Sequence, residues 1–255
     1  MTMLEKSAFF GYKKNSRQQQ QQIQYTLLEQ NYDNSKDWRA EGAVGPVRNE
    51  YSPLICQACW AFAVTATLES AHFIQSGGAK ELLEFSPQQL VDCDTKSYGC
   101  QGGGIDDAID YLKTAPIMLE KDYPYVAKDQ NCQNNPAKST GIYVTQRFNV
   151  KPFDVAQLKA AVAQQPVAAA VQGYEDVFVQ YKFGIFDSAQ CGTNLDHAVV
   201  LVGFGTDEES GAEYWLLRND WGTSWGESGY MRLKMQDGAG VCGVNMAPSY
   251  ATVSK

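Results

Sequence analysis

From residue 59 to residue 75 the chain is apolar almost all the way round a helical period, which predicts a buried helix. Gly77-Gly78 supplies its stop. Ser86-Pro87-Gln88-Gln89 has the form of a capping box with proline at the first helical position, so a short helix starts there. Ile105, Ala108, Ile109 and Leu112 fall at i, i+3, i+4 and i+7 and predict a third helix. Up to about residue 148 the chain therefore reads as mainly helical. Beyond that point one helix is predicted over 155–164, with Asp154 as cap and Gln157 three residues on. The other apolar runs, 167–171, 197–204, 213–217 and 230–234, are strand-like and separated by Gly, Asn and Asp. There is no internal repeat. A helical half (36–148) followed by a β-rich half (149–255) predicts an α+β fold with a seam between the halves, a common place for a cleft.

Residues 1–35 do not share this patterning. They carry the glutamine run 18–22 and almost no apolar periodicity. Their only apolar cluster, Ala8-Phe9-Phe10, is far short of the roughly 7–15 residues of a secretory signal core. Within 1–30, Lys6, Lys13, Lys14 and Arg17 against Glu5 and Glu29 give a net charge of +2, which leaves −10 for the rest of a chain whose total is −8. That acidity argues against nucleic acid as a partner. The composition, 44% hydrophobic and 20% charged, excludes global disorder. No apolar run approaches the roughly 20 residues of a membrane span.

Seven cysteines and two histidines carry the candidate chemistry. An odd count leaves at least one thiol unpaired. Cys56-Gln57-Ala58-Cys59-Trp60 opens the buried helix, where the macrodipole and unpaired backbone N–H groups favour thiolate. Three readings compete: a Cys-x-x-Cys redox pair, a zinc site, or a bridged Cys56 beside a nucleophilic Cys59. The redox pair wants a βαβ setting that the surroundings do not show, and zinc wants a second ligand pair at suitable spacing. A nucleophilic thiol wants a base, and the base an orienting group. His197 heads an apolar strand and Asn219 ends the next, so neighbouring strands could bring both to one end of a sheet. His72 lies mid-helix, roughly 20 Å beyond Cys59 at 1.5 Å per residue, and reads as a core group.

At these residues the chain resembles the papain-like cysteine proteases, the plant enzymes and cathepsins of the cathepsin L type. The resemblance runs from Asp37 to about Pro248. Asp37-Trp38-Arg39 with Gly42-Ala43-Val44 looks like the mature start, and Cys56-Gln57-Ala58-Cys59-Trp60-Ala61-Phe62 like the nucleophile motif. Asp92-Cys93-Asp94, Gly99-Cys100-Gln101-Gly102-Gly103, Asp196-His197-Ala198-Val199 and Asn219-Asp220-Trp221-Gly222-Thr223-Ser224-Trp225-Gly226 follow in the family's order. His197 lies 138 residues after Cys59 and Asn219 lies 160 after it, against roughly 130–150 for the family.

The resemblance implies a two-subdomain fold, with a helical left half, an antiparallel β-barrel right half and the active-site cleft between them. It implies an endopeptidase with no metal and no cofactor that acts on polypeptide substrates. Cys59 would pair with His197, held by Asn219 and shielded by Trp221. The disulfides implied are Cys56–Cys100, Cys93–Cys132 and Cys191–Cys242. Substrate would lie along Gly102 and Gly103, with Asp196 beside it. The pocket for the residue two before the cut maps to Ile105, Ala170, Leu195, Ala198 and Ala247, apolar side chains that would favour Leu, Val or Phe over Arg.

The chain departs from the family around the oxyanion hole. Glu50 stands where the family has a glutamine that donates to the oxyanion together with the Cys59 backbone. An ionised carboxylate cannot donate and repels that charge. Residues 51–55 make the path to Cys56 three residues longer. Gln57 replaces a glycine and could supply an amide, and Asp220 replaces a serine. These changes keep open an alternative, a weak or inactive papain-fold protein used as a binding or structural subunit. Residues 1–35 have two readings as well: the tail of an activation peptide crossing the cleft, too short to be a whole inhibitory prodomain, or a tether to a larger assembly. Three disulfides suit a lysosome, a vacuole or the extracellular space. No Asn-x-Ser/Thr glycosylation site is present.

Overall fold

The computed structural model describes residues 10–14, 25 and 27–254; the glutamine run lies outside them. Three helices lead: α1 (Cys59–Gln75), α2 (Pro87–Cys93) and α3 (Ile105–Tyr111). The Ser86 side chain caps α2 by accepting from the Gln89 N–H. A fourth, α4 (Val155–Gln164), starts on Asp154, which accepts from the Gln157 N–H in the same way. A one-turn helix, α5, spans Asp176–Val179.

The strands are β1 (Lys36–Asp37), β2 (Val144–Asn149), β3 (Val167–Val171), β4 (Ile185–Phe186), β5 (His197–Thr206), β6 (Glu213–Arg218), β7 (Tyr230–Lys234) and β8 (Ser249–Val253). They form one sheet in the order β2-β8-β3-β5-β6-β7-β4, with β1 added to β5. Pairing is antiparallel except for β4 on β7. Besides its helices, the region up to residue 148 holds β1 and most of β2, a polar strand paired with β8.

The sheet has an apolar layer on each face, and the two layers explain why its inner strands read as continuous apolar runs. Ala168, Ala198, Val200, Val202 and Leu216 face α1 and the other leading helices. Val167, Ala169, Val171, Val199, Leu201 and Leu217 face a second cluster with Phe178, Trp215 and Trp225. α1 packs on β5 and β8, so its buried face covers the first layer. Residues 59–72 of α1 are buried all round. Three disulfides staple the loops: Cys56–Cys100, Cys93–Cys132 and Cys191–Cys242. Each contributes on the order of 2–4 kcal/mol. Among the described residues no helix is long and apolar enough to cross a membrane.

Candidate active site

Cys59 is the first residue of α1 and the free cysteine of the described chain, fully buried. His197 is the first residue of β5. Asn219 follows the last residue of β6. The antiparallel register pairs Val200 with Arg218, and so the start of β5 lies beside the end of β6. His197 Nε2 and Asn219 Oδ1 are 2.7 Å apart. The same oxygen accepts the Asp220 N–H at 3.0 Å, which fixes it as the amide oxygen. Nε2 therefore carries the hydrogen, and Nδ1, buried with no hydrogen-bond partner, presents a lone pair. A ring nitrogen of His197, Cys59 Sγ and a carboxylate oxygen of Glu50 lie within 4.8 Å of one another. His72 is on the far part of α1, its ring near Phe85.

Trp221 stacks on His197 with ring centroids 4.7 Å apart, while its indole N–H donates to Glu50 Oε1 at 3.1 Å. Glu50 is locked to that loop by backbone bonds: its N–H donates to Asp220 O at 2.9 Å, and the Gly222 N–H donates to Arg48 O at 3.1 Å. Tyr51, first residue of the long 51–55 loop, also stacks on Trp221, with ring centroids 6.3 Å apart. Leu54 and Ile55 project from that loop into solvent. Asp220 Oδ1 stands 3.7 Å from His197 Nε2.

The cleft is covered by the chain's own residues 10–13. The Gly103 N–H donates to Gly11 O at 2.7 Å, the Lys13 N–H to Gly103 O at 2.8 Å, and the Tyr12 N–H to Asp196 O at 2.9 Å. Tyr12 packs against the cluster that holds Ile105 and Ala198. Phe10 sets its edge against His197 and Trp221, both at 6.1 Å. A Cβ on Gly11 would lie 2.2 Å from Gln57 O, so only glycine passes this point unstrained.

Of the expected substrate-side residues, Gly102, Gly103 and Asp196 meet this segment directly. Ala170 pairs with Ala198 in the sheet, and both are buried. Leu195 and Ala247 are half-buried. Gln57 touches Gly11 with its backbone and Cβ, and its N–H donates to Cys100 O at 3.1 Å. The contacts of Phe10 and Tyr12 escaped the sequence reading. Their one signal is an aromatic pair flanking a glycine in an otherwise polar arm.

Burial decides the charge states here. It pushes the Cys59 thiol well up, with the Glu50 and Asp220 charges adding to the effect against the N–H groups of Ala198 and Gly11. It pulls His197 down to about 4, with the Asn219 bond opposing. The covered site thus holds a neutral thiol beside a neutral imidazole. Glu50 is raised by burial and then by Asp220, and Asp220 is raised by burial as well.

Residues 32–252 match the family described as papain family cysteine protease. The chain is 41% identical over 222 residues to the senescence-specific cysteine protease SAG12 of Arabidopsis thaliana, covering 86% of this chain and 62% of the relative. Among solved structures, bromelain protease from Ananas comosus bound to the E64 inhibitor superposes with a TM-score of 0.79 at 37% identity, over 86% of this chain and 99% of that one. A recombinant stem bromelain precursor gives 0.86 at 33% identity, over 99% of this chain and 80% of that one. A free cysteine at a helix start, facing a histidine on the sheet across a cleft, in a two-subdomain α+β fold, defines the papain-like class. The chain belongs to the papain family of cysteine proteases. It spans 46–62% of the length of the curated relatives it matches.

Proposed function

We propose that this chain is a cysteine endopeptidase that hydrolyses peptide bonds through Cys59, His197 and Asn219. The observation that carries the reading is the 2.7 Å bond from His197 Nε2 to Asn219 Oδ1, which leaves the other ring nitrogen for the free Cys59. Once the cleft is open to water, the burial penalty on both groups falls, and the proton moves from sulfur to Nδ1. The thiolate attacks the peptide carbonyl, and its electron pair forms the S–C bond as the carbonyl pair moves to oxygen. Collapse breaks the C–N bond, and His197 returns its proton to the leaving amine. Water, deprotonated by His197, then cleaves the thioester and frees Cys59. Ile105, Ala170, Leu195, Ala198 and Ala247 offer an apolar pocket, and the expected preference two residues before the cut is Leu, Val or Phe over Arg.

Residues 10–13 are the inhibitory segment in this reading, since they take the Gly103 and Asp196 backbone positions that a substrate would need. The relatives' precursor form, and the E64 inhibitor in the bromelain structure, agree with a cleft that accepts a peptide-like occupant. The compartment proposed is a lysosome, a vacuole or the extracellular space, where three disulfides persist.

Labelling of reduced protein with the E64 epoxide, followed by peptide mapping, tests the assignment together with turnover of Leu-Arg and Phe-Arg fluorogenic peptides. The expected result is label on Cys59, abolished in Cys59→Ala. No label and no turnover, even after removal of residues 1–30, would sink the enzyme and leave a binding subunit. The reading of 1–30 as inhibitor predicts that their removal raises activity; unchanged activity points to a tether.

A further inference from the structure

The carboxyl of Glu50 is fully buried, and nothing in the family's usual chemistry explains a carboxyl in this place. Its Oε1 accepts from Trp221 Nε1 at 3.1 Å. Its Oε2 is enclosed and has no hydrogen-bond partner. One of its oxygens is within 4.8 Å of both Cys59 Sγ and a His197 nitrogen. We propose that Glu50 serves as a protonated carboxylic acid, whose O–H donates a hydrogen bond to the oxyanion formed on attack by Cys59. The inference rests on the endopeptidase reading above and names the second oxyanion donor beside the Cys59 backbone N–H.

The charged surroundings decide which acid carries the proton. Facing Glu50 are Asp220 from the loop after β6, Cys59 from the start of α1, His197 from β5, Tyr51 from the long loop, and Tyr125, whose hydroxyl donates to Glu50 O at 2.8 Å. None is a cation in the covered site, and in the open site the His197 imidazolium arises together with the Cys59 thiolate, whose opposite charge offsets it at Glu50. Asp220, by contrast, lies in the field of Arg218 and Arg48, both of which favour its ionised form. Two buried carboxyls this close do not both ionise readily, and the proton settles on the one with no cation near it. Burial and then Asp220 raise Glu50 in that sense, and they outweigh the hydrogen bonds from Tyr51, Trp221 and the Ala58 N–H, which favour the ionised form.

The indole N–H on Oε1 then orients the acid. With that oxygen occupied as an acceptor, the proton belongs on Oε2, the enclosed atom with no hydrogen-bond partner. During attack the carbonyl π pair moves onto oxygen, and Glu50 shares its O–H with that oxygen without giving the proton up. On collapse the pair returns, the C–N bond breaks, the amine takes its proton from His197, and Glu50 is unchanged. A glutamine would give one N–H in the same place at every pH. A carboxylic acid gives it only below its own pKa, so this chain gains a ceiling on the alkaline side.

The test compares the full chain with Glu50→Gln and Glu50→Ala in two measurements. Infrared difference spectra near pH 6, parent minus Glu50→Gln, should show the C=O stretch of a protonated carboxyl; its absence overturns the proposal without any reference to activity. In peptide turnover, kcat/KM of the parent should fall about tenfold per pH unit above the Glu50 pKa. In Glu50→Gln that alkaline fall should move up by a unit or more, while Glu50→Ala loses about 10²–10³ across the range. Coincident alkaline limbs for parent and Glu50→Gln overturn the proposal while leaving the endopeptidase standing. Absence of both turnover and E64 labelling in parent and Glu50→Gln overturns the endopeptidase reading and, with it, the donor role.

Discussion

Trp221 lies over the ring of His197 at 4.7 Å and 30°, so one face of the imidazole never meets water. The stack keeps the His197–Asn219 hydrogen bond in a low dielectric, where it is stronger. Asn219→Ala and Trp221→Ala should therefore each lower kcat/KM. A hydrogen bond to a charged group is worth roughly 1.5–3 kcal/mol, or about 10- to 150-fold. Trp221→Ala should also lift the His197 pKa from about 4 toward its ordinary value, because burial is what depresses it. Imidazole NMR titration checks the second effect apart from the first; an unmoved pKa refutes the shielding role.

Gly11 is the narrowest point of the segment in the cleft. An added Cβ would meet Gln57 O at 2.2 Å, and that oxygen is backbone and cannot turn aside. Overpacking of this kind costs on the order of 1–3 kcal/mol. Gly11→Val should thus loosen residues 10–13 and raise the fraction of open cleft about 5- to 150-fold. The rate of E64 labelling at Cys59 reports that fraction. A rate equal to the parent's would mean that this segment does not limit access.

Much of this arrangement is legible in the sequence, and the gaps have physical causes. β3 and β7 appear where their apolar runs lie, and β5 runs two residues past Phe204 because Gly205 and Thr206 keep pairing with Tyr214 and Glu213. β2 is hidden because Thr145 and Gln146 are exposed and carry no apolar alternation. β1 and β4 are two-residue pieces set by their partners rather than by any pattern. Spacing could not choose the disulfide partners; the motifs resembling the papain family did. An arm crossing the cleft is one of the two readings the sequence offers for residues 1–35, but its docking points at Gly11, Tyr12 and Lys13 are not legible, because backbone bonds leave no trace in side-chain patterning. The bond from Trp221 to Glu50 joins residues 171 apart and follows only from the fold.

Arg48 ties Glu50 to the rest of the helical half. Its Nη2 lies 2.7 Å from Glu69 Oε1, and Glu69 also accepts the Phe85 N–H at 2.8 Å. Glu69 is almost fully buried, and Glu120 offers Arg48 a longer contact of 3.5 Å. Glu69→Ala leaves the Arg48 guanidinium underpaired and a buried N–H unsatisfied, a loss on the order of 3–5 kcal/mol. Glu69→Gln, which keeps an acceptor for Phe85, should lose less. Urea midpoints of the two variants check the order; equal midpoints would contradict it.

Stability should fall as pH rises between about 4.5 and 7. Glu50, Asp196 and Asp220 are all raised above the ordinary carboxyl range by burial, Asp196 to about 6 despite the N–H groups of Gly173 and Tyr174. An acid with a raised folded pKa keeps its proton longer in the folded chain than in the unfolded one. Each such group therefore contributes fully below its unfolded pKa and loses that contribution as pH climbs through the folded value. His197 acts the other way: its folded pKa of about 4 lies below the unfolded one, so its contribution is lost as pH falls below about 6.5. Glu120 is raised by burial in the same sense, and His72 is lowered by burial and Lys80 as His197 is by burial, so four groups of one sign against two of the other leave a net fall with rising pH. The lowered carboxyls, Asp37, Asp110, Asp207 and Glu227, oppose this only at the acid edge of the range, because their unfolded forms finish ionising by about pH 5.5. Thermal melts from pH 4.5 to 7.5 should give a Tm that declines toward neutrality. Asp196→Asn keeps an oxygen for the Gly173 N–H, which Asp196 now accepts at 2.8 Å, and it should flatten the decline and raise Tm at pH 7. A Tm that climbs over this interval would show that the buried carboxyls are ionised in the folded chain.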